Sequence, residues 1–509
     1  MYSKVKTCVL HGLNGHIIEV ETDLSRGIPV FNIVGLPDTA IKESKERVRT
    51  SIKNSGYEFP LSRITINLAP ANLKKDGSQM DLSIAIGILI ANSTIKDYST
   101  SDTVFIGELS LDGKINPIDG ALPMIISMRE QKIKKCIIPY DNRQECGIIE
   151  DMEIIPANNL KEVVDYLNNE LTINTYKSDT LYYNEEKFDF DIDFSDIKGQ
   201  EGLKRALEVA AAGNHNILII GPPGSGKTMA AKRLPTILPR LSFEEAIEAT
   251  KIYSVSGLLN SNGLMIERPF RSPHHTTSNI AMIGGGRIPK PGEVSLAHNG
   301  ILFLDELAEF SKNVLEVLRQ PLEDGVVNIS RVNGTLSYPA DFMFIASMNP
   351  CPCGFFGDPF HECTCSQNSI DRYLGKISHP LLDRIDLHIE VLPVEYKDIN
   401  DDYKTESSKD IRKRVEKARE IQLNRFKKDR IFNNSQIPNR NIKKYCRLSP
   451  SSEIILESAF KKYRFSARTH NKILKVSRTI ADLDNKDNIE DEHILEAIRY
   501  RTLDNKYWG

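Results

Sequence analysis

The chain has 509 residues, of which 40% are hydrophobic and 27% charged, with a formal net charge of −3. This composition excludes a mainly disordered chain, and the length suits about three domains. With almost no net charge, any nucleic-acid binding must depend on local basic surfaces. No apolar run reaches membrane-spanning length and the first residues lack a signal-like apolar stretch, so we expect a cytoplasmic protein without membrane contact.

Residues 1–170 alternate strand-like and helix-like patterns, which predicts an α/β domain. The predicted elements are, in order, 31–34 (strand), 39–54 (helix), 63–68 (strand), 80–91 (apolar helix) and 136–139 (strand). A hairpin turning at Asp112-Gly113 is expected between 107 and 120. Residues 171–192 are polar and lack a helical period, so we expect a linker there.

A glycine-rich loop follows the apolar run 217–220 and precedes a helix-forming stretch, which predicts a strand, a phosphate-binding loop and a helix. Its glycines let backbone N–H groups wrap the phosphates of ATP, Lys227 reaches their outer oxygens, and the Thr228 hydroxyl binds Mg²⁺. The predicted ATP-binding residues are Gly221, Pro222, Pro223, Gly224, Ser225, Gly226, Lys227 and Thr228.

A second apolar run, 301–304, ends in Asp305 and Glu306. Such a pair, downstream of a phosphate-binding loop, suits ATP hydrolysis. Asp305 would hold the magnesium ion through water, and Glu306 would polarise the attacking water. The sequence therefore predicts an ATP hydrolase.

Four of the eight cysteines lie close together as two CxC pairs, Cys351 with Cys353 and Cys363 with Cys365. Four thiolates suit tetrahedral Zn²⁺, and His361 offers a rival ligand. Buried free thiols remain the alternative to a structural zinc site.

The stretch LKKDGSQMDLSIAIGIL, together with the predicted hairpin, resembles the proteolytic domain of Lon. On that pattern, Gln79 occupies the position of the catalytic serine and Leu122 that of the catalytic lysine. Neither side chain can act as nucleophile or base. Ser78 is one position away without a positioned base, so we expect a Lon-like domain without protease activity.

From Asp193 onward the sequence resembles AAA+ ATPases, which implies an α/β/α ATPase core over 193–395 and a helical lid over 396–509. In that family the residues near Gly199-Gln200 lie against adenine. The strand ending in SMN places Asn349 at sensor 1, where it would orient the attacking water.

The same resemblance assigns two arginines. LLDRIDL places Arg384 as an arginine finger acting on the nucleotide of a neighbouring subunit, which implies a ring. Local pairing of Arg384 with Asp383 or Asp386 is the alternative. SAR places Arg468 at sensor 2, reaching the nucleotide from the lid.

Two further segments, 268–290 and 326–338, resemble the helix-two insert and pre-sensor hairpin of magnesium-chelatase motors and MCM helicases, whose hairpins face a central pore. The hairpin is predicted to turn at Asn333-Gly334. Arg287, Arg331 and Asn333 are the candidate DNA contacts, with purely structural loops as the alternative. The adjacent His274 and His275 are weak metal candidates.

The motifs RPFRSPHHT, IGGG, PGEVSLAHNGILFLDELAEF, SMNPCPCG and SRTIADL, spread over nearly the whole chain, resemble the ComM/YifB family of magnesium-chelatase-like proteins. That resemblance implies a homo-hexameric AAA+ helicase or translocase that promotes branch migration during recombination and natural transformation. Its partners would be single-stranded or branched DNA and recombination proteins. The alternative is a motor that remodels a protein partner, as the magnesium-chelatase motor does.

The segment 409–430 carries ten Lys/Arg and four Asp/Glu and predicts a basic helix. A solvated or subunit-facing helix and a phosphate-binding helix both fit this pattern. Helical periodicity over 451–500 predicts the lid.

Overall fold

The computed structural model describes residues 1–96, 102–178, 190–259, 263–286, 289–331, 334–393, 405–429 and 431–508. The chain divides into two compact units, one of residues 1–186 with 243–266, the other of 187–242 with 267–509. Both contain a sheet flanked by helices, and the last hundred residues are helical, which confirms the expected α/β class. Within the described ranges, no helix combines the length and the apolar character needed to cross a membrane.

The first unit is built on a seven-stranded mixed sheet with strand order β3-β4-β2-β1-β5-β8-β9. The strands are β1 Tyr2–His11, β2 Asn14–Ser25, β3 Val30–Val34, β4 Arg63–Ala69, β5 Thr103–Phe105, β6 Glu108–Leu109, β7 Ile115–Asn116, β8 Lys135–Pro139 and β9 Glu153–Ala157. Within the seven-stranded sheet, which excludes β6 and β7, the β1–β2 and β2–β4 pairs are antiparallel and the other pairs are parallel. Strands β6 and β7 form the hairpin predicted around Asp112-Gly113.

Among the residues that the structure describes, the same unit has the α-helices Thr39–Asn54, Asp81–Ala91, Ala121–Glu130, Arg143–Cys146, Leu160–Leu167 and Phe243–Ser256. Asp81–Ala91 forms the centre of its core, since all but one of its residues are buried. Gly87 lets this helix approach β2 closely, because a Cβ there would lie 2.6 Å from the Thr22 hydroxyl oxygen. The apolar run predicted this helix to within one residue.

Helix Phe243–Ser256 lies in the first unit although the chain on both sides of 243–266 belongs to the second. The Gly120 N–H donates to the Ser254 carbonyl at 3.0 Å. The Ser254 hydroxyl donates to the buried Glu145 carboxylate at 2.6 Å, which also accepts from the Leu122 N–H at 3.3 Å. Burial raises the pKa of Glu145 despite these donors. This segment, which follows the phosphate-loop helix in sequence, therefore folds as part of the N-terminal domain.

The second unit is built on a five-stranded parallel sheet with strand order β11-β14-β17-β10-β18. Its strands are β10 Ile217–Ile220, β11 Phe270–Arg271, β14 Ile301–Leu304, β17 Met343–Met348 and β18 Leu387–Glu390. Two small antiparallel pairs accompany it, β12 Gly284–Gly285 with β13 Lys290–Pro291 and β15 Val326–Arg331 with β16 Gly334–Pro339. Because parallel strands end at one edge, the segments after β10, β14 and β17 meet there.

The helices of this unit fall into two groups. Those that accompany the parallel sheet are Glu201–Gly213, Lys227–Arg233, Asn279–Ile283, Glu293–Leu296, Lys312–Val317, Arg319–Asp324, Gln367–Leu374 and His379–Leu382. Those of the C-terminal region are Ser408–Phe426, Ile442–Tyr445, Pro450–Tyr463, Ala467–Leu483, Asp491–Arg499 and Leu503–Tyr507.

The basic segment forms the helix Ser408–Phe426, which buries one face. Its arginines take part in contacts inside the unit. Arg414 pairs with Glu208 at 2.6 Å, and Arg425 donates to Asp482 at 2.7 Å. Part of the charge that a phosphate backbone would need is thus used in holding this helix to its neighbours.

Candidate nucleotide site

The phosphate-binding loop leaves the fully buried strand β10 and enters the helix Lys227–Arg233, as predicted. Gly224 and Gly226 have φ of 77° and 86°, a left-handed backbone that favours glycine. The Gly221 N–H donates to the Met348 carbonyl at 3.2 Å. A Cβ on Gly221 would lie 2.5 Å from the Val391 carbonyl oxygen, so only glycine fits between the adjoining strands.

Lys227 folds back over this loop. Its Nζ donates to the Gly221 and Pro222 carbonyls, each at 2.7 Å, and to Asn349 Oδ1 at 3.3 Å. Burial lowers the pKa of Lys227 to about 8, even though the nearby Asp305 and Glu306 act in the opposite direction. The lysine thus connects the phosphate loop to the predicted sensor residue.

The acidic residues lie beside the loop. Asp305 accepts a hydrogen bond from the Thr228 hydroxyl at 2.7 Å and a second from Ser347. The two oxygen ligands expected for Mg²⁺ are therefore adjacent. Glu306 has φ of 55° and a side chain 60% exposed, so its carboxylate projects from the sheet edge.

His275, which is not among the predicted catalytic residues, lies next to Glu306. His275 Nδ1 is 3.8 Å from Glu306 Oε2, and its ring lies 4.0 Å from that of His274. His274 Nδ1 itself lies 3.0 Å from the Thr276 hydroxyl. The RPFRSPHHT motif was the available signal, but spacing alone did not connect it to Glu306.

Gln200 precedes the helix Glu201–Gly213, and its side-chain amide donates to the Leu392 carbonyl at 2.5 Å. Leu392 follows Val391, whose N–H donates to Ile220 at the start of the phosphate loop, at 2.8 Å. The segment expected near adenine is thus connected to the loop through the end of β18.

Arg384 is held by three groups of its own chain. Its Nε donates to the Arg319 carbonyl at 3.1 Å, its Nη1 to the Pro380 carbonyl at 2.6 Å, and its Nη2 pairs with Glu323. The local ion pair is therefore with Glu323, whereas the sequence suggested Asp383 or Asp386 as the alternative partner.

The two nearby aspartates have other contacts. Asp386 lies 3.0 Å from Lys472 Nζ and 3.4 Å from His215 Nδ1. Although burial acts to raise it, these neighbours hold the pKa of Asp386 well below its usual range. Asp383 lies 3.9 Å from Arg468, whose side chain is 63% exposed.

Arg384 and Arg468 line one cavity of about 560 Å³, and the phosphate-loop residues are not part of its lining. The structure thus gathers the predicted site into two groups. One comprises the loop, Asp305, Glu306 and Asn349, and the other comprises the two arginines.

The four clustered cysteines come together. The sulfur of Cys351 lies 3.3 Å from that of Cys353 and 3.7 Å from that of Cys363, and all four sulfurs lie within 4.8 Å of one another. Zn–S bonds of about 2.3 Å in a tetrahedron separate sulfurs by about 3.8 Å, so the cluster fits zinc. His361 lies outside the cluster and faces Asp358, with Nδ1 3.4 Å from its carboxylate.

The cysteine loop also touches the phosphate loop. Gly354 has φ of 90°, and a Cβ there would lie 2.6 Å from Pro223 Cδ. The Gly354 N–H donates to the Cys351 carbonyl at 3.0 Å, which fixes this turn. Because Gly354 packs against Pro223, a fixed conformation of the cysteine loop also supports the phosphate loop.

The two strands of the predicted hairpin pair with each other, and Gly334, which the sequence placed in the turn, pairs with Arg331 in the ladder. The candidate DNA contacts Arg287 and Asn333 lie outside the described residues, and Arg331 ends strand β15. The hairpin packs on the helix-two insert, since the buried Tyr338 hydroxyl donates to the Pro289 carbonyl at 2.9 Å.

The two residues aligned with the Lon dyad make ordinary contacts of a folded domain. The Gln79 amide donates to the Asp76 carbonyl at 2.8 Å, and Leu122 is buried in the core. Ser78 donates to Glu108, which also lies 3.4 Å from the Asn116 amide.

Family models agree with this architecture. One described as magnesium chelatase, subunit ChlI, matches residues 193–399, and one for the C-terminal part of that subunit matches 405–501. A third, described as subunit ChlI of Mg-chelatase, matches 20–142.

Two of the following relatives match nearly the whole chain, and a third matches part of it. The competence protein ComM of Haemophilus influenzae is 42% identical over 498 residues, which is 97% of this chain and 96% of ComM. The YifB protein of Escherichia coli is 41% identical over 506 residues, 99% of this chain and 97% of YifB. Lon protease 2 of Bacillus subtilis is 35% identical over 126 residues, 24% of this chain and 22% of that protease.

The parallel sheet, the phosphate loop and the matching models define an AAA+ protein of the magnesium-chelatase type. Because the identity to two relatives extends over nearly the full length of both chains, the protein belongs to the ComM/YifB family. This confirms the resemblance carried by its motifs.

Proposed function

We propose that the protein is a Mg²⁺-dependent ATPase that works as a homo-hexameric ring in the cytoplasm and moves along single-stranded or branched DNA. In this proposal it promotes branch migration during homologous recombination and natural transformation, together with recombination proteins. The observation that best supports the ring is that Arg384 and Arg468 line a cavity whose lining includes no residue of the phosphate loop. A neighbouring subunit can supply the missing positive charge.

Within one subunit the roles follow from the contacts. The loop N–H groups and Lys227 would hold the phosphates, and Thr228 and Asp305 would hold Mg²⁺, which would supply positive charge to the phosphate oxygens. Glu306 polarises the attacking water, because it is the exposed carboxylate at the sheet edge. Asn349 orients that water, since it already contacts Lys227.

The DNA contact belongs to the pre-sensor hairpin and the helix-two insert, with Arg331, Asn333 and Arg287 as the proposed contacts to the backbone. The packing of the hairpin on the insert through Tyr338 supports their joint movement. Phosphate contacts of this kind are independent of base sequence and weaken with salt.

Two further roles complete the proposal. The four cysteines hold one structural Zn²⁺ that supports the loop next to Pro223, as their sulfur spacing suggests. The N-terminal domain is not a protease, because Gln79 and Leu122 stand at the positions of the Lon dyad and supply neither nucleophile nor base.

The deciding experiment measures ATP hydrolysis with and without forked DNA. We expect forked DNA to raise the rate and salt to weaken this stimulation. Stimulation by a protein partner and not by DNA would contradict the DNA motor and favour protein remodelling of the magnesium-chelatase type.

The ring is tested by mixing two inactive variants. Arg384→Ala and Lys227→Ala should each abolish hydrolysis alone, whereas mixed hexamers should regain activity at interfaces between an intact phosphate loop and an intact finger. Hexamers that assemble from both variants but stay inactive would contradict the assignment of Arg384 as a finger.

A further inference from the structure

The contact between Arg384 and Glu323 is placed where it can respond to the pre-sensor hairpin. Glu323 lies on the helix Arg319–Asp324, and the carbonyl of the first residue of this helix accepts the Arg384 Nε–H at 3.1 Å. The predicted finger is therefore attached to this short helix by both a side chain and a backbone carbonyl.

The same helix continues directly into the hairpin. Only Gly325 separates its last residue from strand β15, and the Gly325 N–H donates to the Pro321 carbonyl at 2.9 Å. The Gly325 carbonyl accepts from the Ala340 N–H at 2.8 Å, just after strand β16 ends. Both ends of the hairpin are thus hydrogen-bonded at the point where the helix ends.

The exposure of the two charged side chains is unequal. Arg384 is 13% exposed and Glu323 56% exposed. When the pair separates, Glu323 enters water, whereas the guanidinium remains beside the cavity that it lines with Arg468. The two remaining bonds of Arg384 to carbonyls are electrically neutral, so Glu323 alone among these contacts cancels its charge.

We propose that Glu323 is a positioning residue that restrains Arg384 and that movement of the hairpin base releases it. This proposal rests on the proposed function, in which DNA occupies the hairpin and Arg384 acts on a neighbouring nucleotide. DNA that displaces the hairpin moves the helix Arg319–Asp324 and separates the pair. The freed guanidinium then brings its full charge to the phosphates across the subunit interface.

The test measures ATP hydrolysis by Glu323→Gln hexamers with and without forked DNA. We expect the DNA-free rate to rise about two- to fivefold, the size of effect that a partly exposed ion pair supplies. The rate at saturating DNA should stay near that of the wild type, so the ratio of the two rates falls by the same factor. A purely structural role would instead lower both rates together.

Two variants serve as controls. Asp324→Asn removes the adjacent carboxylate, which is not among the groups that hold Arg384, and should leave both rates unchanged. Glu323→Asp keeps the charge and should retain most of the wild-type ratio. Sedimentation of each variant should show the same assembly as the wild type.

The outcomes separate this inference from the proposed function. Glu323→Gln hexamers whose DNA-free rate is unchanged or reduced would overturn the restraint. A wild-type protein that DNA does not stimulate would overturn the proposed function and the coupling to DNA. A raised DNA-free rate in Glu323→Gln would in that case still establish the restraint on Arg384.

Discussion

Each of the two units places a group of polar side chains at the start of a helix, and the two groups differ in what they leave accessible. In the first unit, Asp81 is 0% exposed and binds Arg47 Nε at 2.8 Å, with Ser44 and the Leu109 N–H as further donors. In the second unit, Glu306 remains 60% exposed beside a loop built on glycine. A polar cluster whose members satisfy one another stabilises a fold, whereas an active site keeps a reactive group exposed.

The largest expected effect tests the exposed group around Glu306, which we call the open cluster. Glu306→Gln should bind ATP but lower kcat by about 10²–10⁴, the usual contribution of a general base. Lys227→Ala should lose ATP binding. Hydrolysis and nucleotide-binding assays measure these effects separately, with Glu309→Gln, which removes a carboxylate 3.6 Å from Lys376, as the matched control. A Glu306→Gln variant with the wild-type rate would show that another residue is the general base.

Removing the proposed zinc should weaken ATP binding at the open cluster, although the cysteines are not part of that cluster. The wild type should contain about one zinc per chain by metal analysis, and the double change Cys351→Ser and Cys353→Ser should release it. Because Gly354 packs against Pro223, the same variant should also bind ATP more weakly. Cys446→Ala, which removes a buried thiol elsewhere in the unit, should keep the metal. Wild-type protein purified without chelator and free of zinc would contradict this prediction.

The buried group around Asp81, which we call the closed cluster, should stabilise the fold and take no part in catalysis. Asp81→Asn should cost about 3 kcal/mol, because it leaves Arg47 without its carboxylate at a buried site. Faster hydrogen exchange in helix Asp81–Ala91 measures this loss. Asp76→Asn removes an exposed carboxylate paired with Lys74 at 2.8 Å and should have little effect. Protection unchanged in Asp81→Asn would mean that the cluster is not stabilising.

ATP binding should change the protonation of Lys227. Its pKa is lowered to about 8 by burial, and the phosphate charges of ATP raise it again. At pH 8, where about half of the lysines are neutral, binding should therefore take up about half a proton per site. Calorimetry in two buffers of different ionisation enthalpy measures this uptake, which should decline towards pH 6. Equal heats in the two buffers at pH 8 would contradict the shift.

The smallest effect is expected at Ser78, one position from the residue that aligns with the Lon serine. Ser78→Ala removes one hydrogen bond to Glu108 and should leave ATP hydrolysis unchanged, with a stability loss of about 1 kcal/mol or less. Peptide hydrolysis by the wild type that disappears in Ser78→Ala would overturn the proposal that this unit is not a protease.

Local patterns were enough to predict several elements closely. The helix Thr39–Asn54 has the predicted bounds, and Asp81–Ala91 differs by one residue. The first follows from its apolar periodicity and from Asp38, whose carboxylate accepts from the Ile41 N–H, and the second from an unbroken apolar run; both signals act over a few residues. Gly334, predicted for the turn between β15 and β16, lies instead in their ladder, because the register of a strand pair depends on side chains along its whole length.

The sequence by itself determined the phosphate loop, the acidic strand end and the cysteine spacing, because each requires particular residues at short, fixed intervals. The tertiary structure alone decided that Ser254 binds Glu145, that His275 lies beside Glu306 and that Glu323 holds Arg384. These partners are 109, 31 and 61 residues apart in the chain. Contacts at such separations depend on how helices and sheets pack, which no local pattern encodes.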